Sequence, residues 1–443
     1  MSASQLSGLS IPTTKYSHSI AQEFPRTSRE YHVESTVSSR LWRDYLPSNT
    51  NINSTAGFNN IDSYFDFNLT GNSNEFFDTN SFALETKIKF LKADGTDLDD
   101  TCNVATVDGI AIRMISRCSV YLNGVQVQAN PFNGITNMIH AYLTMNKDSV
   151  ASVGRAMLIN SVDSIIHDKL TTAKFAQVSN SKKDIAKNVM HLITPLNLDI
   201  ASSDFWLLSN VDIRLRLDLA PASVLINAYD DNDYKYEVQF VRLFCQKIVP
   251  HPSALVSLNR SLENNRSVIE YIHSKMVVKS FILQDSQTVL SLDNLFTSVV
   301  PIRIHIIFMR QSALNGDFKT NSGYFHNINM KSLRLDVDGN SIANFKTSFP
   351  REATNLFYNT LMNVKDDSNL LTYNSFMTGR TILTFDLQAT ECHDTLPVEK
   401  NGNIRLHIET EANDENMICL VFAETSGLIE INSNRQVKTS YLL

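Results

Sequence analysis

Three residue types of a nucleophilic catalytic site are adjacent at Cys392-His393-Asp394. A cysteine nucleophile needs a base within hydrogen-bond distance. Adjacent residues of an extended chain point to opposite faces, so neighbours in sequence do not bring these side chains together. We therefore interpret this segment as an ordinary loop, and we predict no catalytic residue in the chain.

Two acidic runs have the composition of a calcium-binding loop, Asp230-Asp231-Asn232-Asp233 and Asp97-Leu98-Asp99-Asp100. Neither continues with the glycine at position 6 and the distal glutamate that an EF-hand loop requires. His273, His305 and His407 fall within strand patterns, the last two on the polar face, and are too dispersed for a zinc site. We predict solvated loops and ordinary strand residues here, with no metal and no cofactor.

The motifs of common enzyme classes are missing from the sequence. It contains no GxxxxGKS/T or GxGxxG phosphate loop, no HExxH zinc helix and no GxSxG nucleophile turn. The net charge is −7, and the first 45 residues carry almost as many acidic as basic side chains. Coating nucleic acid needs many phosphate-neutralising cations. We expect a protein that is not an enzyme and makes no direct sequence-specific contact with nucleic acid.

The composition is that of a globular protein with ample core. The chain has 443 residues, of which 43% are hydrophobic and 19% charged, which suits two or three domains. No apolar run approaches the ~18–20 residues of a membrane span, and the N-terminus lacks the basic and apolar regions of a signal peptide. Five scattered cysteines without CxxC spacing favour reduced thiols in an intracellular protein.

Alternation of apolar and polar residues dominates the chain, as in antiparallel strands with one exposed face. Residues 212–219 place Ile213 and three leucines on one face, and aspartate and arginine on the other. Residues 238–245 and 417–422 alternate less, and we interpret them as central strands covered on both faces. Helical spacing is confined to short stretches such as 137–143. The pattern predicts an all-β fold with few short helices in loops.

The clearest break in this pattern is Val249-Pro250-His251-Pro252-Ser253. Proline lacks the N–H that a central strand donates, so two prolines two positions apart indicate a linker. Roughly 200 residues remain on each side, which suits one β-sandwich each. The first residues are polar and without pattern. The predicted organisation is an arm at 1–30, a first sandwich at 31–250 and a second sandwich at 251–443.

Two segments have the pattern of the same β-hairpin, Cys118–Val125 and Leu333–Asn340. Asn123-Gly124 and Asp338-Gly339 reverse the chain, and both pairs tolerate the positive φ that a type I′ turn needs twice. The two glycines are 215 residues apart, and the inward positions of the two segments match. Such hairpins are common in β proteins, so a chance match is the alternative to internal duplication. Duplication predicts corresponding places for the two turns in two sandwiches.

A series of short signatures resembles a known family through its order along the chain. The first half contains Phe82–Phe90, Gly95 and Arg117–Val125. The second half contains, in order, Val278–Phe281, Asp293–Phe296, Pro301–Ile304, Ala313–Gly316, Phe325–Asn329 and Leu335–Gly339. This order, over most of residues 60–345, resembles the major capsid proteins of Polinton/Maverick elements and adintoviruses.

The resemblance implies two tandem jelly-roll β-sandwiches, the double jelly roll of the adenovirus-like double-stranded DNA virus lineage. It implies a major capsid protein whose homotrimers form pseudo-hexagonal capsomers that tile an icosahedral shell. The partners would be neighbouring capsomers and penton or minor capsid proteins, and the location would be the virion. Synthesis in the nucleus or in the cytoplasm of the host cell is equally compatible. Asn123, Gly124, Asp338 and Gly339 would serve as structural hairpin turns.

Two other functions fit the residue pattern. A carbohydrate-binding or carbohydrate-active β-sandwich protein would bring two carboxyl groups to within about 5–9 Å of each other in a cleft. A minor or penton capsid protein would more naturally contain a single jelly roll. The number of equivalent sandwiches therefore discriminates between the two kinds of capsid protein, and the placement of carboxyl groups tests the carbohydrate alternative.

Overall fold

The fold is that of a computed structural model of the chain. It describes residues 36–49, 64–159, 166–203, 205–230, 232–264, 268–297, 299–347, 349, 353–364, 370–388 and 400–441. The predicted N-terminal arm, residues 1–30, and the segment Cys392-His393-Asp394 lie outside these ranges.

Residues 37–250 contain the strands of two four-stranded antiparallel sheets. The first sheet has the spatial order β1-β10-β3-β7, with β1 (Val37–Tyr45), β3 (Phe76–Lys92), β7 (Met190–Pro195) and β10 (Tyr234–Pro250). The second has the order β2-β8-β5-β6, with β2 (Tyr64–Leu69), β5 (Ile115–Leu122), β6 (Val125–Asn130) and β8 (Ile213–Leu219). Two short strands, β4 (Val104–Thr106) and β9 (Ile226–Ala228), pair with each other.

Residues 269–441 contain the strands of two further antiparallel sheets. The third sheet has the order β11-β18-β13-β16, with β11 (Ile269–Leu283), β13 (Arg303–Arg310), β16 (Leu383–Asp386) and β18 (Met417–Ile431); β19 (Val437–Tyr441) also pairs with β18. The fourth has the order β12-β17-β14-β15, with β12 (Val289–Phe296), β14 (Ser332–Val337), β15 (Asn340–Lys346) and β17 (Ile404–Glu409).

The two halves share one topology. When the short β4 and β9 are set aside, β1, β2, β3, β5, β6, β7, β8 and β10 take the same sheet positions as β11 to β18 in chain order. Eight strands in two four-stranded sheets are the content of a jelly roll, and the chain repeats it. The predicted all-β double jelly roll is confirmed.

Helices occupy connections between strands and are short. They are α1 (Ile110–Arg113), α2 (Asn133–Thr144), α3 (Lys147–Ser149), α4 (Thr172–Gln177), α5 (Asn180–Lys187), α6 (Ala222–Leu225), α7 (Pro252–Asn264), α8 (Gln311–Asn315), α9 (Thr354–Asn363) and α10 (Tyr373–Met377). A π-helical turn at Val150–Gly154 and a 3₁₀ turn at Asp199–Ser203 complete the described helical segments. The helical spacing at residues 137–143 lies within α2.

The double-proline segment differs from the predicted linker. Pro250 ends β10, where its partner is Val37 of the edge strand β1. Pro252 is the first residue of α7, a position that needs no N–H donor. Both prolines therefore occupy places where the missing donor costs little, and the chain passes from strand to helix at His251. The division into sandwiches at 250/251 stays a prediction.

Strand β18 belongs to two hydrophobic clusters. Its residues Cys419, Val421 and Ala423 pack into the core between the third and fourth sheets. The alternate residues Leu420 and Phe422 pack into the cluster that fills the first sandwich and continues to the second. The prediction that residues 417–422 form a strand covered on both faces is correct, and the second face is covered by the first sandwich.

Strand β10 is central in its sheet, but only one of its faces is fully buried. Val238 and Val241 are buried, whereas Phe240 and Arg242 are half-buried. The weak alternation has a different cause from the one predicted, because a bulge at Gln239 shifts the pairing between Val238 and Phe240. An extra residue in a strand reverses the faces of all the residues that follow.

Candidate functional site

The predicted turn residues lie at the tips of two β-hairpins. Asn123 and Gly124 join β5 to β6 with φ of 46° and 82°, and Asp338 and Gly339 join β14 to β15 with φ of 50° and 79°. Two successive positive φ values define the type I′ turn, which matches the twist of paired strands. Both hairpins occupy the same edge of the corresponding sheets.

The first residue of each turn also holds the start of the adjacent strand. Asn123 donates its N–H to the Asp212 carbonyl (2.9 Å), and its Oδ1 accepts the Asp212 N–H (2.8 Å). Asp338 donates its N–H to the Asn403 carbonyl (3.0 Å), and its Oδ1 accepts the Asn403 N–H (2.7 Å). Asp212 and Asn403 immediately precede β8 and β17, so the two turns make the same four-atom contact.

A bulge follows each turn at the same distance. The pairing skips Val127 in β6 and Ile342 in β15, and these two residues are again 215 positions apart. A bulge bends and twists the strand that contains it. The two hairpins therefore share the turn type, the contact to the start of the adjacent strand and the position of the bulge. This equivalence goes further than the Asn-Gly and Asp-Gly pairs alone would require.

One contact distinguishes the two turns. The Asn123 amide Nδ2 donates to the Arg435 carbonyl (2.8 Å) in the connection between β18 and β19. Arg435 in turn donates Nε to the Ser209 carbonyl (2.8 Å) and Nη2 to Asn259 Oδ1 (3.2 Å). The carboxylate of Asp338 has no N–H for a corresponding bond. The asparagine turn therefore links the two sandwiches, and the aspartate turn does not make the same link.

The two acidic runs singled out in the sequence make local contacts. Asp230 accepts the Tyr234 hydroxyl (2.8 Å), and Asp97 accepts Lys89 Nζ (2.6 Å), so both acidic runs contribute to local hydrogen bonds. Within the described ranges, no group of three or more histidine, cysteine, aspartate and glutamate side chains is arranged to hold a metal ion. His407 is half-buried.

Two of the three strand histidines are buried between the sandwiches. His273 is 2% exposed and His305 is 6% exposed. The prediction of a polar face for His305 is wrong, because β13 lies between β18 and β16 and is covered on both faces. The alternation of its sequence resembles that of a half-exposed strand, and only packing decides which face meets solvent.

Sequence reasoning missed a segment of the first half that is bound to the second. We call residues 167–170 the strap. Asp168 accepts Arg310 Nε (2.7 Å) and lies 3.0 Å from His326 Nε2. Its carbonyl accepts the Asn321 N–H (2.8 Å). The contacts join residues more than 140 positions apart, so no local sequence pattern predicts them.

A buried ionic network also joins the halves. Asp108 and Arg380 are 3% and 2% exposed, and Arg380 Nη2 lies 3.3 Å from Asp108 Oδ2. The Tyr142 hydroxyl donates to the same oxygen (3.0 Å). Arg113 donates Nε to the Asp108 carbonyl (2.9 Å) and Nη1 to the Ser322 carbonyl (3.0 Å). Buried charges are tolerated where they are paired and hydrogen-bonded in this way.

No protein-family model matches the chain. The uncharacterized protein F54H12.2 of Caenorhabditis elegans is 22% identical over 255 residues, which are 54% of this chain and 60% of that protein. The match thus spans less than two thirds of the relative's length. In the described part of the chain, no helix combines the length and hydropathy needed to cross a membrane.

Solved structures of viral shells share the fold. A chain in the cryo-EM structure of the Sputnik virophage matches with a TM-score of 0.62 and 11% identity, covering 94% of this chain and 91% of that one. The mavirus major capsid protein matches with a TM-score of 0.53 and 11% identity, covering 96% and 93%. The PBCV-1 virus capsid matches with a TM-score of 0.57 and 10% identity, covering 94% and 99%. The chain therefore has the double jelly-roll fold of these shells.

Proposed function

We propose that this chain is a major capsid protein whose homotrimers form pseudo-hexagonal capsomers of an icosahedral shell. The observation that carries the proposal is the presence of two eight-stranded sandwiches with one strand order in a single chain. Three such chains around a threefold axis present six similar sandwiches, which supports a nearly sixfold outline. The fold of the mavirus major capsid protein, covered over 93% of its length, supports the same function.

The narrower proposal is a capsid protein of the Polinton/Maverick and adintovirus-like elements, supported by the ordered signatures of the sequence. Its organisation would be an arm at 1–30, a first jelly roll at 31–250 and a second at 251–443. It would reside in the virion and contact neighbouring capsomers and penton or minor capsid proteins. The net charge of −7 supports enclosing the genome without binding it directly.

The proposed role is structural and uses no catalytic residue, cofactor or metal. The two equivalent sandwiches favour a major capsid protein over a penton or minor capsid protein with one jelly roll. The hairpin turns at Asn123-Gly124 and Asp338-Gly339 would set the shape of equivalent sheet edges in the two halves.

The oligomeric state of the purified chain tests the proposal. Light scattering coupled to size exclusion should give about 150 kDa, three times the chain mass of 49.9 kDa. Negative-stain microscopy should show particles with a nearly hexagonal outline. A stable monomer at high protein concentration, without trimers or larger particles, would contradict the proposal. A screen against glycans tests the carbohydrate alternative, which predicts binding or hydrolysis by the monomer.

A further inference from the structure

A cavity of about 570 Å³ lies between the two sandwiches. The first sandwich contributes α2, part of β6 and the 3₁₀ turn at Asp199–Ser203 to its walls, and the second contributes β11, β13 and β18. His273 and His305 line this cavity from the second sandwich. We call the contact between these two sets of elements the junction. The packing of both histidines therefore depends on the junction.

His273 is buried in the junction with little polar compensation. Neither Nδ1 nor Nε2 of its ring has a hydrogen-bond partner among the described residues. The ring packs on Gly427 of the paired strand, where an added Cβ would lie 2.6 Å from ring atoms. A protonated imidazole donates through both nitrogens and needs two acceptors. Burial outweighs an interaction with the Tyr271 backbone that favours the charged ring, so this site disfavours protonation.

His305 has one partner and is otherwise enclosed. Its Nδ1 lies 2.9 Å from Thr384 Oγ1. Arg303 lies on the same face of β13, two positions before His305. Protonation of His305 would therefore place a second positive charge beside the guanidinium. Glu424 is the nearby acid, but it already accepts the Ser274 hydroxyl (2.7 Å) and lies 3.6 Å from Arg303 Nη1.

Charged and titratable groups line the cavity from five of the elements around it, and β6 contributes only the neutral Asn130. Asp386 of β16 lies 3.9 Å from Arg303. Besides the two histidines, the charged or titratable residues that line the cavity in the described part of the chain are His140 of α2, Asp199 of the 3₁₀ turn, Lys275 of β11, Arg303 of β13 and Glu424 of β18. His140 has an exposed side chain, yet desolvation at the cavity lowers its pKa as it does for the two buried histidines.

The environment shifts the titration of these groups in opposite directions. Burial lowers the pKa of His273, and it lowers the pKa of His305 from 6.5 to about 4. Burial also raises the pKa of Asp199 from 3.8 to about 7. Asp199 is partly exposed, whereas both histidines are buried.

We propose that His273 and His305 make the junction acid-sensitive, and that protonating them drives the two sandwiches to loosen their contact. Water that enters the opened junction supplies the acceptors that the closed one lacks. Asp199 opposes the effect, because acid neutralises a carboxyl that is costly to ionise there. This property belongs to the single chain and is measurable without any shell assembly.

The direction in which acid changes the stability of the chain follows from how many protons each state binds. The unfolded chain protonates its histidines near pH 6.5, whereas the folded chain resists until a lower pH, so acid favours the unfolded or opened state. The histidine contribution to stability is complete above about pH 6.5 and is lost as the pH falls toward 4. From pH 7 to pH 5, protonation of His305 should raise the unfolding constant by roughly 10- to 30-fold, and protonation of His273 should act in the same direction.

The test compares the pH dependence of unfolding in the full chain and four variants. Urea unfolding between pH 7.5 and pH 5 should show that the double variant His273→Leu and His305→Gln loses less stability on acidification than the wild type. Asp199→Asn should lose more, since it removes the opposing group. His407→Gln, on the fourth sheet, should keep the wild-type slope, whereas His140→Gln should flatten the slope, because desolvation at the cavity also lowers the pKa of His140.

Hydrogen exchange in the wild type gives a second readout that needs no variant to fold. Amide exchange in peptides from β11 and β13 should accelerate on going from pH 7 to pH 5, after correction for intrinsic rates. A double variant with the wild-type slope, or exchange in these strands that is unchanged at pH 5, would overturn the proposal. If the double variant does not fold, the slope of His305→Gln alone decides in its place.

Discussion

At the scale of single residues, the first position of each hairpin turn combines two tasks. Asn123 and Asp338 adopt a left-handed backbone and use one side-chain oxygen to accept an N–H at the start of the neighbouring strand. Asparagine and aspartate tolerate this conformation because their short polar side chains form local hydrogen bonds. One residue position thus both reverses the chain and aligns a third strand, in both halves of the molecule.

The two turn glycines should respond equally to substitution. We expect Gly124→Ala and Gly339→Ala each to cost about 1–2 kcal/mol of unfolding free energy, because both require a left-handed backbone. An added Cβ meets no atom within 4 Å at either position, so the backbone penalty stands alone. Urea unfolding measures both values. Costs that differ by several kcal/mol would show that the turns are not equivalent.

A third glycine provides the matched control. Gly379 also has a positive φ, of 114°, but an added Cβ would lie 2.6 Å from the Tyr324 ring. Gly379→Ala should therefore cost clearly more than either hairpin variant, since steric displacement adds to the backbone penalty.

The buried pair of Asp108 and Arg380 should be among the most sensitive sites to mutation. Asp108→Asn leaves the guanidinium without its carboxylate in a position that is 2% exposed. Removing one partner of a buried pair typically costs about 3–5 kcal/mol. Thermal or urea unfolding checks this value. Asp100→Asn, at an ion pair with Lys187 where the aspartate is fully exposed, should change stability very little.

At the scale of elements, the strap is a connection of the first half that binds to the second sandwich through Asp168. Burial raises the pKa of Asp168, but hydrogen bonds and charges from His326 and Arg310 outweigh burial and hold its pKa below the usual 3.8. The folded state therefore favours the carboxylate. This contribution is complete above pH 3.8 and is lost as the pH falls through the lower pKa of the folded protein.

Asp168→Asn should remove this acid-dependent part of the stability. The variant should be less stable than the wild type at pH 5, and the difference between them should shrink as the pH falls toward 3. Urea unfolding at pH 5, 4 and 3 measures it. Asp97→Asn alters an exposed ion pair with Lys89, and the difference in unfolding free energy between this variant and the wild type should stay constant over the same pH range. A constant difference across this range would exclude a role for Asp168 ionisation.

At the scale of the whole molecule, the two sandwiches are held together by contacts of different kinds. Leu420 and Phe422 of β18 extend the hydrophobic cluster of the first sandwich into the second. The Asp108 and Arg380 pair, the strap and the Arg435 contacts add polar links. Such continuity predicts that the halves behave as one unit, which suits a proposed shell in which each capsomer must keep its shape.

Deleting residues 1–30 should separate trimer formation from shell assembly. The segment is polar and without strand pattern in the sequence, so we expect it to contact neighbouring subunits of the shell and not to hold the trimer together. Scattering should still report trimers for the truncated chain, while electron microscopy should show few or no closed shells under conditions where the full chain assembles. Dissociation of the trimers would contradict this division of roles.

The sequence by itself determined the strand pattern and both hairpin turns. Alternation, Asn-Gly and Asp-Gly act over a few residues, so their physical causes are visible in a short window of sequence. The double-proline segment, predicted to be a linker, instead forms the end of β10 and the start of α7. The interpretation of β10 was wrong because a bulge, which depends on the partner strand, shifts its faces.

Only the tertiary structure decided which residues meet across the two halves. His305 alternates like an exposed strand residue, yet it is buried because β18 and β16 flank its strand and the first sandwich covers the sheet. Asp108 meets Arg380 across 272 positions of sequence. Local propensity carries no information on such pairs, because their energy arises from burial and desolvation when the sandwiches pack.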